Sequence, residues 1–366
     1  MKISIVGTYF GTDGYSNHTQ QLFNSLYKQA KDIRLDCPKI ENWVRFVNDA
    51  ELESMSKKED KEECMIAITT PPVWKIALAT KPKKFIGFLV WEGDKIPDGW
   101  IDDVLDKRVD QIWVPSQHTK DAIIKTLKEN DLLSGKLVDK IKIVPHGVNP
   151  SLFYKTEKKD DIFRFVCNKG WRGTKWDRGG VQYLIKAFAE EFEKDEKVEL
   201  VCKLNPAYIN EQALKETKDK LELPENRAPI KIGVENVPYN ALLNFYNQGD
   251  VYVCPTRAEA FDLGTAEAMA CGLPVITTNY GGQIEHMKED ENALFINYKL
   301  EEVKEDLMYE GINWATPNIE DLRKKMRWCF ENQDKVKQMG ENAQEHIKKF
   351  TWDKTAELAI SYLKDL

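Results

Sequence analysis

Apolar and polar positions along this chain follow two periods that take turns. Short apolar runs of strand length occupy residues 2–6 (KISIV), 64–69 (CMIAIT), 84–91 (KFIGFLVW), 111–114 (QIWV) and 140–144 (KIKIV). Between them lie stretches at 17–28, 97–105 and 119–130 that read as helices. Strand and helix in strict alternation predict a doubly wound, mostly parallel α/β sheet. The charged stretch 51–63 reads as an exposed helical excursion. From 147 to 161 the chain turns charged and turn-forming (GVNPSLFYKTEKKDD), as expected of a domain linker. A second series follows, with strands at 163–167, 198–203 and 230–234 and helices at 181–192, 212–221 and 239–247. Further helices close the chain at 319–349 and 352–366. The pattern predicts an α/β protein of two Rossmann-like domains, 1–150 and 151–350, followed by a terminal helical segment, 351–366.

One crossover in the second series carries distinctive chemistry. A strand at 250–254 (DVYVC), a loop, a helix beginning near Thr265, a glycine and a strand at 273–277 (LPVIT) form a βαβ unit. Its loop lies at the carboxyl ends of parallel strands, where open α/β sheets bind ligands. The helix would present unpaired N–H groups and a positive dipole end there, a seat for phosphate. Glu259 and Glu267, eight positions apart, flank that seat. Carboxylates repel phosphate, so they suit hydroxyl groups instead. Phosphate and hydroxyls together point to a sugar nucleotide.

Composition narrows the alternatives. The chain has 366 residues, 42% apolar and 31% charged, enough for two domains with full cores. No apolar run approaches the roughly 18 residues of a membrane span, and the opening MKISIVGTYFGTDG reads as a strand rather than a signal peptide. Seven scattered cysteines without a CxxC pair read as buried thiols of a reducing, cytoplasmic compartment. Net charge is −7, and the excess lies after residue 150, which gives no basic stripe for nucleic acid. Lys81, Lys83 and Lys84 are the one basic cluster of the first half, read as a solvated loop, so peripheral membrane contact has no support in the charge pattern.

The run EAFDLGTAEAMACGLPVITTNYGG resembles the signature of retaining, family-4 (group 1) glycosyltransferases. WEGDKIPDGW, WVPS, IVPHGVNPSLF and the tail MRWCFENQDKVKQMGENAQEHIKKFTWDKTAE recur in the same order in such enzymes. The resemblance covers nearly the whole chain. It implies the GT-B fold, with two domains facing across a cleft and the last helix returning to the first domain. It also implies transfer of a sugar, with retention, from a nucleotide-sugar donor to a hydroxyl on a glycan, lipid-linked or small-molecule acceptor. A sugar-nucleotide hydrolase or epimerase, or a non-catalytic binding subunit, are the alternatives.

The resemblance also implies roles. Glu267 would hold the ribose and Glu259 the sugar, while Leu263, Gly264 and Thr265 would offer backbone N–H groups to the diphosphate. Many relatives carry glycine where this chain has Asp262, so that carboxylate either points at the sugar or narrows donor choice. Relatives supply an arginine and a lysine to the leaving diphosphate. Here the usual lysine register falls on Gly179, within CNKGWRGTKWDRGG (167–180). The candidates are Lys169, Arg172, Lys175 and Arg178, with the two arginines favoured, Lys175 in support and Lys203 in reserve. Val234 and Asn236 would contact the base, Gly14 the donor or acceptor, and Glu92 the sugar or acceptor hydroxyl. His18 fits a loop or a packing role equally, and His118, His146, His286 and His346 read as structural. No Asp-x-Asp pair is present to hold a metal, so neither metal nor cofactor is expected beyond the nucleotide sugar itself.

Overall fold

The apolar runs pair into two six-stranded parallel sheets in the computed structural model. It describes residues 2–9, 11, 13–30, 32–36, 49–56, 62–172, 177–209, 211–304 and 307–366. The chain divides into two compact units, Met1–Gly147 with Phe350–Leu366, and Val148–Lys349.

In the first unit the elements are β1 (Ile3–Gly7), α1 (Gly14–Gln29), β2 (Ile33–Asp36), α2 (Asp49–Ser56), β3 (Cys64–Ile68), α3 (Pro71–Leu78), β4 (Phe85–Phe88), α4 (Ile101–Val104), β5 (Gln111–Val114), α5 (Gln117–Glu129), α6 (Gly135–Lys140) and β6 (Ile141–Ile143). The strand order is β2-β1-β3-β4-β5-β6. All residues of β3, β4 and β5 are buried, as a parallel sheet covered on both faces requires. Three elements here, β2, α3 and the short α6, were hidden in the sequence pattern. β2 offers only Ile33 and Leu35 between charged neighbours, and α3 begins with two prolines that imitate a turn. Proline suits the first helical turn because its missing N–H would have no partner there. The stretch 97–105 is a 3₁₀ turn, Asp98–Trp100, followed by the four-residue α4. Of the charged excursion, 57–61 lies outside the described residues.

The chain's last helix, Trp352–Leu363, belongs to this unit. Thr355 Oγ1 donates to Pro145 O at 2.7 Å and Gln111 Nε2 to Tyr362 O at 3.2 Å. Lys28 pairs with Asp353 at 2.9 Å.

The second unit contains β7 (Phe163–Lys169), α7 (Val181–Glu191), β8 (Val198–Leu204), α8 (Glu211–Lys220), β9 (Ile230–Val234), α9 (Leu242–Asn247), β10 (Val251–Cys254), α10 (Leu263–Ala270), β11 (Val275–Thr278), β12 (Ala293–Ile296), β13 (Tyr298–Glu302), β14 (Asn313–Pro317), α11 (Ile319–Glu331) and α12 (Gln333–Ile347). Phe165, Leu184, Phe188, Leu200, Val253 and Ile276 are buried in one core. The strand order is β12-β11-β10-β7-β8-β9. The chain starts mid-sheet at β7, builds outward to β9, and then crosses to β10 on the other side. That reversal leaves a crevice beyond the carboxyl ends of β7 and β10, the topological switch point. The antiparallel pair β13–β14 is absent from the sequence reading because β13 is exposed along its whole length and offers only Tyr298 and Leu300 among charged residues. Asn332 interrupts the closing helical stretch between α11 and α12.

The six cysteines among the described residues are buried free thiols, and Cys37 lies outside them. No helix of the described residues is long and apolar enough to cross a membrane.

Candidate active site

The switch point of the second unit gathers four ionised side chains. β7 ends at Lys169 and β10 at Cys254, so both chains turn away beside the same crevice. Lys169 Nζ lies 2.9 Å from Glu259 Oε1 and 2.9 Å from Asp262 Oδ2. Arg178 Nη1 lies 3.1 Å from Glu259 Oε2 and donates to Ala258 O at 2.9 Å. Thr256 Oγ1 adds a hydrogen bond to Glu259 Oε1 at 3.1 Å. Burial opposes ionisation here, but the charges overrule it. Burial would lower Lys169, yet Asp262 and Glu259 hold it well above its ordinary value. Burial would raise Glu259, yet Arg178 and Lys169 hold it well below the usual carboxylate range. The network stays charged because each member has a partner within contact distance.

Two loops hold these groups in register. Gly180 adopts φ +72°, and a Cβ there would lie 1.9 Å from Pro255 O, so only glycine lets the loops approach. Arg257 N–H donates to Arg178 O at 2.8 Å, and the Thr256 hydroxyl, 3.0 Å from the same carbonyl, shares its one proton between it and Glu259. Asp177 braces the basic loop from beneath. Its carboxylate accepts from the N–H groups of Arg172 and Gly179 at 3.3 and 3.4 Å, and burial pushes its pKa to about 6. Arg172 is exposed, with its guanidinium 5.9 Å from the Tyr208 ring. Lys175 lies outside the described residues.

The helix beyond the crevice starts at a charged cap. α10 begins at Leu263, two residues earlier than Thr265, because Asp262 caps it. Of the three backbone N–H groups at Leu263, Gly264 and Thr265, that of Gly264 is taken by Asp262 Oδ1 at 3.1 Å. The Asp262 carboxylate therefore turns onto its own helix, Lys169 and the Cys254 thiol, whose Sγ donates to Oδ2 at 3.0 Å.

Glu267, in the first turns of α10, is buried beneath two tyrosines. Tyr239 OH donates to Oε1 and Tyr246 OH to Oε2, each at 2.7 Å. Asn168 Nδ2 donates to the Tyr246 oxygen at 3.1 Å, which fixes the direction of that chain. A carboxylate has about four acceptor positions, so it can serve several donors at once. Lys203 stands half-buried at the end of β8, next to Asn168 across the sheet. Burial lowers its pKa, partly opposed by Glu235 and Glu267. Val234 ends β9, and Asn236 follows it, exposed.

Gly14 and Glu92 belong to the first unit. Gly14 opens α1 after the Asp13 cap, beside the switch point between β1 and β3, and a methyl there would meet nothing within 4 Å. Glu92 follows β4, and its carbonyl oxygen lies 2.9 Å from His118 Nε2. His18 and His146 are buried with ring centroids 4.2 Å apart, both beside Trp352. They pack rather than line a loop. His286 is buried against Phe261, and its Nε2 lies 3.0 Å from Thr265 Oγ1. That hydroxyl donates to Asp262 O at 2.8 Å, so the imidazole supplies the other proton.

Lys169 was underweighted by the sequence because the strand pattern seemed to end at Cys167. Its place at a strand end beside a switch point is the signal that finds it. Tyr239, Tyr246, Thr256 and Asp177 were missed, since no spacing rule links them to the glutamates they serve.

With this geometry in place, comparison with known proteins is informative. Residues 177–346 match the family described as glycosyl transferases group 1. An uncharacterized glycosyltransferase of Methanocaldococcus jannaschii is 31% identical over 116 residues, 32% of this chain and 28% of that protein. The chain spans between about a quarter and three-fifths of the length of the curated relatives it matches. A glycosyltransferase structure from Rickettsia africae superimposes with a TM-score of 0.71 at 18% identity, covering 99% of this chain and 97% of that one. An Anabaena structure in complex with UDP and glucose gives 0.69 at 16% identity, with complete coverage of both chains. The fold is that of the GT-B glycosyltransferases.

Proposed function

We propose that this chain, whose residues 177–346 belong to the group 1 glycosyl transferases, moves a sugar from a nucleotide-sugar donor to a hydroxyl acceptor with retention at the anomeric carbon. One observation carries the reading: the paired Lys169, Arg178 and Glu259 stand at the switch point of the second unit, beside α10 and Glu267. Cations suit the departing diphosphate, on which negative charge grows as the C1–O bond breaks. Arg172, Lys175 and Lys203 reinforce them. Glu267 takes the ribose hydroxyls, Val234 and Asn236 the base, and Glu259 the sugar. Leu263 and Thr265 keep their backbone N–H groups for the diphosphate. On the first unit, Gly14 and Glu92 serve sugar and acceptor.

The acceptor oxygen attacks C1 on the face that the diphosphate leaves, and its proton passes to a departing phosphate oxygen. In this reading the diphosphate is met by protein groups and no divalent metal takes part. The Anabaena protein's complex with UDP and glucose supports a nucleotide sugar as donor class.

The test is a panel of nucleotide sugars with mixed acceptors, in the presence of a strong chelator. The expected result is release of one nucleoside diphosphate together with a glycoside of the donor's anomeric configuration by NMR. Release without an acceptor product would indicate a hydrolase, and no turnover of any donor a binding subunit. Activity abolished by chelator and restored by Mg²⁺ or Mn²⁺ would overturn metal independence.

A further inference from the structure

The first turn of α10 already holds an anion. Asp262 stands at φ +65°, ψ 89°, in the left-handed region that suits glycine, and its side chain is only 4% exposed. An L-residue is strained there. Three bonds offset that strain: the Gly264 N–H, the Lys169 ammonium and the Cys254 thiol. Burial keeps the Cys254 thiol protonated, so it donates. The groups that would receive a phosphate oxygen at this spot, an N-terminal N–H and a buried lysine, are thus engaged by the chain's own carboxylate. Lys169 is divided as well, with Glu259 at the same 2.9 Å. Two cations face two carboxylates, and the unit's switch point is close to neutral rather than doubly positive.

We propose that Asp262 is a specificity-determining residue, a built-in anion that competes with the donor's distal phosphate for the α10 N-terminus and Lys169. The inference rests on the nucleotide-sugar reading above. A terminal phosphate carries about −1.5 to −2 at pH 7, whereas one esterified to a sugar carries about −1. A fixed carboxylate beside it therefore penalises the free nucleoside diphosphate more than the intact donor. The site admits donor and rejects product, and release after transfer is fast.

Calorimetric titration of the full chain with UDP, GDP and ADP, and with the corresponding glucose-linked nucleotides, tests this. Wild type is compared with Asp262→Asn, which keeps an acceptor for the Gly264 N–H, and with Asp262→Gly, which also removes the left-handed strain. The expected result is about tenfold tighter nucleoside diphosphate binding in both variants, with a smaller gain for the sugar-linked form. Unchanged or weaker nucleoside diphosphate binding in both variants overturns the inference, as does an equal gain for the two ligand forms. If wild type and variants all bind nothing, the nucleotide-sugar reading falls and takes this inference with it. Binding by wild type without a gain in the variants removes the inference alone.

Discussion

Glu267 is the residue whose chemistry is most constrained. Its two oxygens each accept a tyrosine hydroxyl at 2.7 Å, so its geometry is fixed before any ligand arrives. Such preorganisation lets a ribose hydroxyl bind without ordering the carboxylate first. Glu267→Gln keeps the shape but removes the charge. It should weaken nucleoside diphosphate binding by about 1.5–3 kcal/mol, roughly ten- to hundredfold, while circular dichroism stays that of wild type. Equal affinity in the variant would remove the ribose assignment. Glu259 and Glu267 were legible because their spacing spans one loop and one helical turn, a purely local pattern. Their partners were not. Tyr239 and Tyr246 lie 28 and 21 positions from Glu267, and Lys169 lies 90 from Glu259. Only the order of strands in the sheet brings them together.

At the scale of elements, the site depends on two loops pressed against each other. Gly180 and Gly311 both have φ +72°, but only Gly180 faces a backbone carbonyl at a distance no Cβ can occupy. Gly311 has nothing within 4 Å. Each change to alanine incurs the left-handed cost of about 1–2 kcal/mol, and Gly180→Ala must also push the 255–257 segment away from Arg178. Gly180→Ala should therefore lower the melting temperature further than Gly311→Ala, and it alone should impair nucleotide binding. Equal losses would show that the two loops are not coupled. The same scale explains what the sequence hid. The buried strands announced themselves through continuous apolar runs. Short or exposed strands such as β2 and β13 have too few inward positions to make a period, and α3 begins in prolines that imitate a turn.

For the whole molecule, buried histidines set the response to acid. Burial holds His146 and His286 at about 3, and burial with His146 beside it puts His18 well below its ordinary value. In the unfolded chain each titrates near 6.5. Between that value and the folded one the unfolded state binds more protons, so stability is full above about pH 6.5 and falls as pH drops. The slope is about 1.4 kcal/mol per pH unit for each histidine. Asp177, raised to about 6, opposes this between its unfolded value and 6, because its stabilising contribution is lost as pH rises through that window. Three groups against one leave a net loss. The urea midpoint should fall steadily from pH 7 to pH 5, and His146→Gln should flatten that decline. A midpoint constant across this range would contradict the buried-neutral assignment.

Both sheets present carboxyl-end crevices at their switch points, but among the described residues only that of the second unit combines cations, paired glutamates and a capped helix. The most direct test of its role is hydrogen exchange of the full chain with and without the nucleotide sugar that is turned over. The expected result is protection of backbone amides at 168–172, 177–180, 233–242 and 256–267. Protection absent from all four segments, or confined to residues 1–147, would contradict the donor assignment.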